Sequence, residues 1–169
     1  MIRFSVSETF DFFNGSATTA GMNPKNDTGP HLLNISEWIS CSPFEQLLGM
    51  EISSAEAGVA IVRMPFVRAL AQGVGLMHGG ALVSLADTAL VMAIKSIAAP
   101  GTHFVTNALE SRFLRPVKKG VVTARASVQA NGGNTLIGEC DILDERDRLV
   151  MTTASVFKIT KVASKKYPT

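Results

Sequence analysis

The sequence predicts an α+β domain in which one long central helix is wrapped by a long, mainly antiparallel sheet. Three observations predict it. A single apolar stretch, Gly79 to Ala98, is long enough for a buried helix of about 30 Å. After Pro100-Gly101, four strand-like segments follow one another at hairpin spacing, which makes neighbouring strands antiparallel. One helix cannot cover both faces of such a sheet, so a second copy of the chain is expected to bury what remains.

The elements follow in order. Residues 1–32 read as an N-terminal extension, because Asn14–Gly21 and Asn26–Pro30 are turn-rich and carry no sustained period. The domain proper is expected over 33–162, with a basic tail over 163–169. Ser42-Pro43-Phe44-Glu45 combines a capping residue, proline at the first helical position and glutamate three residues after the cap, with Gly49 placed to end a short helix. Glu51–Glu56 and Val59–Pro65 flank Ala57-Gly58 and read as a hairpin. Beyond the 79–98 helix, strands are expected over 103–115, 121–130, 135–143 and 149–161. Their turns fall at Lys118-Lys119-Gly120, Asn131–Asn134 and Asp144–Asp147. Alternation is clean in Val121–Ala130, with Val122, Ala124, Ala126 and Val128 on one face.

Composition narrows the function classes. Apolar residues make up 46% and charged residues 18%, a balance tilted toward burial that suits an oligomer. A net charge of +2, with no Lys/Arg run interleaved with aromatics, gives no reason to expect a nucleic-acid partner. Asp87 and Lys95 fall inside the only stretch near membrane-spanning length, which argues for a buried helix and against a membrane partner. Glu8 and Asp11 interrupt what would have to be the apolar core of a leader, so a cytoplasmic protein is expected. Cys41 and Cys140 are expected as two free thiols, and neither has the spacing of a metal site.

The most informative segment is His78-Gly79-Gly80 followed by Leu85-Ala86-Asp87-Thr88-Ala89. Burying an ionised carboxylate costs several kcal/mol unless partners compensate. The flanks Leu85, Ala86, Ala89 and Leu90 leave little room for a solvated face, and no cation lies three or four residues from Asp87. The bland alternative, an aspartate at a helix edge paired with Lys95 or an arginine, stays open on spacing alone. At the other end, the first turn of a helix presents unpartnered N–H groups and a positive dipole end, and glycine lets a substrate approach them closely.

Together with Phe113-Leu114-Arg115-Pro116-Val117-Lys118-Lys119-Gly120, this segment resembles the hotdog-fold acyl-CoA thioesterases, in particular their phenylacetyl-CoA (PaaI-like) branch. The resemblance covers about residues 36–160. It implies a hotdog fold and hydrolysis of an acyl-CoA to the free acid and coenzyme A, with no metal and no cofactor beyond the coenzyme A of the substrate. It also implies sites at subunit contacts, with a homodimer as the minimal unit and a homotetramer as the usual assembly. Asp87 is then the catalytic carboxylate, acting as general base or as nucleophile. The Gly79 amide is the oxyanion donor, with Gly80 beside the substrate. His78 is given a positioning role.

Gln72 stands where related enzymes commonly carry asparagine; its amide can hold the attacking water or the carboxylate, or serve only as a loop residue. Thr106 falls where some relatives place a serine near the water. Arg112, Arg115, Lys118 and Lys119 either grip the phosphates of coenzyme A or form a solvated turn. Two other functions fit the same fold: binding of acyl-CoA without turnover, and a hydratase or dehydratase. The latter branch normally needs an Asp/His pair at a different spacing.

Overall fold

A computed structural model describes residues 37–160 together with His31 and Leu33; the expected extension, His31 apart, and the C-terminal tail lie outside the described residues. The elements are α1 (Pro43–Leu47), β1 (Glu51–Glu56), β2 (Val59–Pro65), α2 (Gly79–Lys95), β3 (His103–Phe113), β4 (Val121–Ala130), β5 (Thr135–Leu143) and β6 (Leu149–Thr160). The strands form one six-stranded sheet in the order β1-β2-β4-β5-β6-β3, with every neighbouring pair antiparallel. This is the architecture expected from the sequence, one long helix against one antiparallel sheet.

Packing explains why α2 lies where it does. Its buried side chains, among them Leu85, Ala86, Ala89, Leu90, Met92 and Ile94, meet the inward residues of β2 (Ala60, Val62, Met64) and β4 (Val122, Ala124, Ala126). Fully burying one large aliphatic side chain contributes roughly 1.5–3 kcal/mol, so this seam is the main stabilising contact of the domain. Gly138 on β5 lets the helix approach closely. A Cβ there would stand 2.6 Å from Leu90 Cδ2 and 2.9 Å from Val128 Cγ1.

Two ends differ from the sequence expectation. The helix stops at Lys95 instead of running to Ala98, although the apolar run continues. The Ser96 hydroxyl donates to the Ala93 carbonyl (2.7 Å) and accepts the Gly58 amide (2.9 Å), while Trp38 Nε1 donates to the Lys95 carbonyl (2.9 Å). These bonds satisfy the last turn and turn the chain away. β3 ends at Phe113 instead of Arg115, because the Leu114 and Arg115 amides both donate to the Val150 carbonyl and leave the ladder. The final strand is described to Thr160, and its expected last residue lies outside the described residues.

An extra residue interrupts β3. Thr106 pairs with Phe157 and Ala108 with Val156, leaving Asn107 as a bulge. Cross-strand partners share a face. Thr106, opposite the buried Phe157, and Leu109, opposite the buried Ser155, therefore both turn toward α2, although three residues apart.

Candidate active site

The loop before α2 is tied down on both sides. The His78 amide donates to the Leu70 carbonyl (2.8 Å), the Met77 amide to the Val117 carbonyl (3.1 Å) and the Gln72 amide to the Leu76 carbonyl (2.8 Å). His78 is the N-cap of α2. Its Nδ1 accepts the Gly80 amide at 2.9 Å, which requires the neutral tautomer with the proton on Nε2. That bond commits the Gly80 amide, so Gly80 is not a second oxyanion donor. The Gly79 amide has no hydrogen-bond partner among the described residues. Both glycines have steric reasons as well. A Cβ at Gly80 would stand 2.9 Å from His78 Nδ1, and one at Gly79 would meet the Phe113 ring at 3.2 Å.

Asp87 lies eight residues further along, ~12 Å of axial rise. It is half-buried, and Thr106 Oγ1 donates to its Oδ1 at 3.0 Å. Burial pushes its carboxyl above the ordinary carboxylate value; the Thr106 hydrogen bond opposes that shift, and the negative charge of Glu45 adds to it. No ion pair reaches Asp87 among the described residues, so the alternative of a pair with Lys95 does not hold. The expectation that the flanks leave Asp87 little room for a solvated face needs correction. Helix neighbours in space are three and four residues apart, so Val83, Ser84 and Asp87 share a face with a hollow of about 320 Å³. Phe44, Glu45, Thr88, Thr106 and Leu109 complete its walls.

Gln72 and Gly79 line a different hollow of about 300 Å³ with Leu82, Phe113 and Leu114. Gln72 Oε1 accepts the Val74 amide at 3.2 Å, closing its own loop, so within one chain Gln72 does not touch Asp87. Thr106 joins Asp87, whereas His78, Gly79 and Gln72 gather at the far end of the helix.

The basic cluster is also regrouped. Arg115, Lys118 and Lys119 line a third hollow of about 400 Å³, joined there by Arg146 and Arg148 from the β5–β6 turn. Arg112 is not in that lining; it pairs with Glu110 at 3.1 Å on the exposed surface. The antiparallel pairing of β3 with β6 explains the exchange, since the strand exit at Arg115 lies beside the start of β6 and not beside Arg112. Arg115 Nη1 donates to the Leu149 carbonyl at 2.6 Å, and Lys119 lies 3.6 Å from Glu145. Arg146 and Arg148 carry no sequence signal beyond their turn. Phe44 and Glu45 are visible in the sequence only as a helix cap.

Two further features bear on chemistry. Among the described residues, no three His, Cys, Asp or Glu side chains converge to hold a metal ion. No helix among the described residues is long and apolar enough to cross a membrane.

Comparison with known proteins gives these features a context. The model of the family described as the thioesterase superfamily matches residues 74–151. The chain is 36% identical over 104 residues to the acyl-coenzyme A thioesterase PaaI of Escherichia coli, spanning 61% of this chain and 72% of that protein. It is 30% identical over 118 residues to the 1,4-dihydroxy-2-naphthoyl-CoA hydrolase of Listeria monocytogenes, spanning 69% of this chain and 95% of that protein. Among solved structures it superposes on the E. coli PaaI protein from the phenylacetic acid degradation operon with a TM-score of 0.65 and 31% identity, over 70% of this chain and 85% of that one.

Proposed function

The chain belongs to the thioesterase superfamily and is a thioester hydrolase with the hotdog fold, and on that premise we propose that it cleaves an acyl-CoA to the free acid and coenzyme A at Asp87. The observation that carries this reading is the setting of Asp87. It is half-buried, raised in pKa, given one hydrogen-bond donor by Thr106, and open to an apolar-walled hollow. A carboxylate stripped of solvent and sparsely donated to is a stronger base and nucleophile than one in water. It takes a proton from water attacking the thioester carbon, or attacks that carbon itself to give a mixed anhydride that water then opens. On either route the carbon–sulfur bond breaks and the thiolate leaves to be protonated. Coenzyme A enters only as part of the substrate, and no metal is used.

The oxyanion formed on the thioester oxygen needs a donor that the same chain does not bring to Asp87. The unpartnered Gly79 amide at the N-terminus of α2 is that donor, supplied by a second copy. The axial separation of Gly79 from Asp87, and their placement in different hollows, support a composite site. A homodimer is therefore the minimal active unit, and a homotetramer its assembly. His78 and Gln72 shape the Gly79 end, where the cap held by His78 makes it a positioning residue and not a proton carrier. Arg115, Lys118 and Lys119, with Arg146 and Arg148, hold the phosphates of coenzyme A. The unpaired thiols of Cys41 and Cys140 suit a reducing cytoplasm.

A thiol-release assay over a panel of acyl-CoAs tests the assignment. Turnover by the wild type and its loss in Asp87→Asn, with the assembly intact by light scattering, is the expected result. Binding of acyl-CoA with no turnover of any substrate would replace the hydrolase by a binding protein. Mixing inactive Asp87→Asn and Gly79→Val chains tests the composite site. Recovered activity is expected, because a mixed dimer carries one intact pair.

A further inference from the structure

Glu45 and Phe44 belong to α1, outside the region that the family model matches, yet both line the hollow that holds Asp87. Glu45 is not a loose surface acid. Its Oε2 accepts the Ser42 amide at 2.9 Å and also the Ser42 hydroxyl, which fixes the side chain in a capping box. Its Oε1 has no hydrogen-bond partner among the described residues, and no ion pair reaches it there. The nearby cation Lys95 feels the charge of Glu45, but its ammonium stands 5.3 Å from the centre of the Trp38 ring and it does not line the hollow. Among the described residues, no Lys, Arg or His side chain does. The five cations around the basic hollow lie in a separate part of the molecule. Phosphates are drawn to those cations, which leaves the acyl group for the hollow beside Asp87.

We propose that Glu45 is a specificity-determining residue, whose fixed carboxylate beside Asp87 rejects acyl groups that end in a carboxylate and admits neutral ones. This rests on the reading that the acyl group lies against Asp87. The physical basis is like-charge repulsion in a partly desolvated cavity, where a third negative charge meets two and no cation among the described residues lines the walls. The walls formed by Phe44, Val83 and Leu109 accept an uncharged chain or ring with no polar group left unpaired. Glu45 also raises the Asp87 carboxyl by its charge, which places the two groups in electrostatic contact. Rejection of the charged acyl group is thus built by repulsion, a recognised route to selectivity.

The test compares hexanoyl-CoA with adipoyl-CoA, which differ by a terminal carboxylate, in the full-length wild type and in Glu45→Gln. Glutamine keeps the capping box, and thermal melting verifies the fold. The non-hydrolysable thioethers hexyl-CoA and 5-carboxypentyl-CoA give Kd values for the same pair. The wild type is expected to favour the neutral member roughly 100-fold in both kcat/KM and Kd. In Glu45→Gln the ratio should narrow to less than about tenfold, mainly by a gain on the acidic member. An equal response to both compounds in the wild type, or an unchanged ratio in Glu45→Gln, overturns the proposal. Discrimination between the thioethers without hydrolysis of either thioester would uphold the role of Glu45 and sink the hydrolase reading. Hydrolysis of both thioesters with no effect of Glu45→Gln would do the reverse.

Discussion

Asp87 and Asp144 are carboxylates of one chain treated in opposite ways. Asp144, in the β5–β6 turn, has a side chain only 8% exposed and is surrounded by donors. It accepts the Arg146 amide (2.9 Å), the Arg148 amide (3.1 Å), Arg148 Nε (2.8 Å) and Arg148 Nη2 (2.7 Å). The Arg148 side chain, followed by the two amides, holds its carboxyl down to about 2. Asp87 has one hydroxyl donor and partial burial, and its carboxyl is held above the ordinary value. A carboxylate saturated with donors is a structural clasp, whereas one left short of them keeps its lone pairs for a substrate.

Four experiments press on that contrast. Asp87→Asn should lower kcat/KM by about 10²–10⁴-fold, the usual contribution of a positioned acid–base group, in the thiol-release assay. Its melting temperature at pH 7 should match or exceed the wild type. A folded carboxyl raised above its unfolded value takes up protons on folding, so Asp87 lowers stability progressively as pH rises through that window and remains costly above it. A loss of stability in this variant would break the contrast.

Thr106→Val removes the one donor that reaches Asp87 among the described residues, while keeping the shape. A hydrogen bond to a charged group contributes about 1.5–3 kcal/mol, so kcat should fall roughly 10- to 150-fold. The acid limb of the pH–rate profile should move to higher pH, since the lost bond had favoured the ionised form. A shift to lower pH would contradict the role given to Thr106.

Asp144→Asn should do the opposite of Asp87→Asn, lowering the melting temperature at pH 7 with turnover kept. A lowered folded pKa means that the stabilisation is fully present above the unfolded value near 4. It is lost as pH falls through about 2. The gap between variant and wild type, followed by acid titration, should therefore close over that range. The smallest effect is expected for Arg112→Ala. Its pair with Glu110 is exposed on both sides, and stability by chemical denaturation should change by no more than about 0.5 kcal/mol, with KM unaffected.

The fold was legible in the sequence because its turns are marked. Ala57-Gly58, Pro100-Gly101, Asn131–Asn134 and Asp144–Asp147 bracket segments whose alternation fits one covered face. The order of the strands was not legible, since nothing local tells β3 to pair beyond β6 instead of beside β4. The end of the helix was hidden for a similar reason, because Gly58 and Trp38, which close it, are remote in sequence. In the site, the Asp87 segment was prominent, but its surroundings were misread by weighing adjacent residues. On a helix the residues beside Asp87 in sequence point elsewhere, and the hollow is finished by α1 and β3. Glu45 read as a cap because it is one, and its second oxygen acquires meaning only beside a residue forty-two positions away. Arg146 and Arg148 became neighbours of Lys118 through the pairing of β4 with β5, and of Arg115 through the pairing of β3 with β6.

The Asn107 bulge has a consequence for how this site can change by mutation. A strand has a phase, and the extra residue resets it midway, so that Thr106 answers to one phase and Leu109, Ser111 and Phe113 to the other. Substitutions within the strand can alter what the site residues are, but only a change of chain length can alter which of them share a face. Deleting one residue between 106 and 109 would leave an unbroken strand with both side chains still on one face, whereas adding one, with the bulge kept to a single residue, would part the donor of Asp87 from the apolar wall beside it. Insertions at this point are therefore a more drastic route to lost or new specificity than any single replacement.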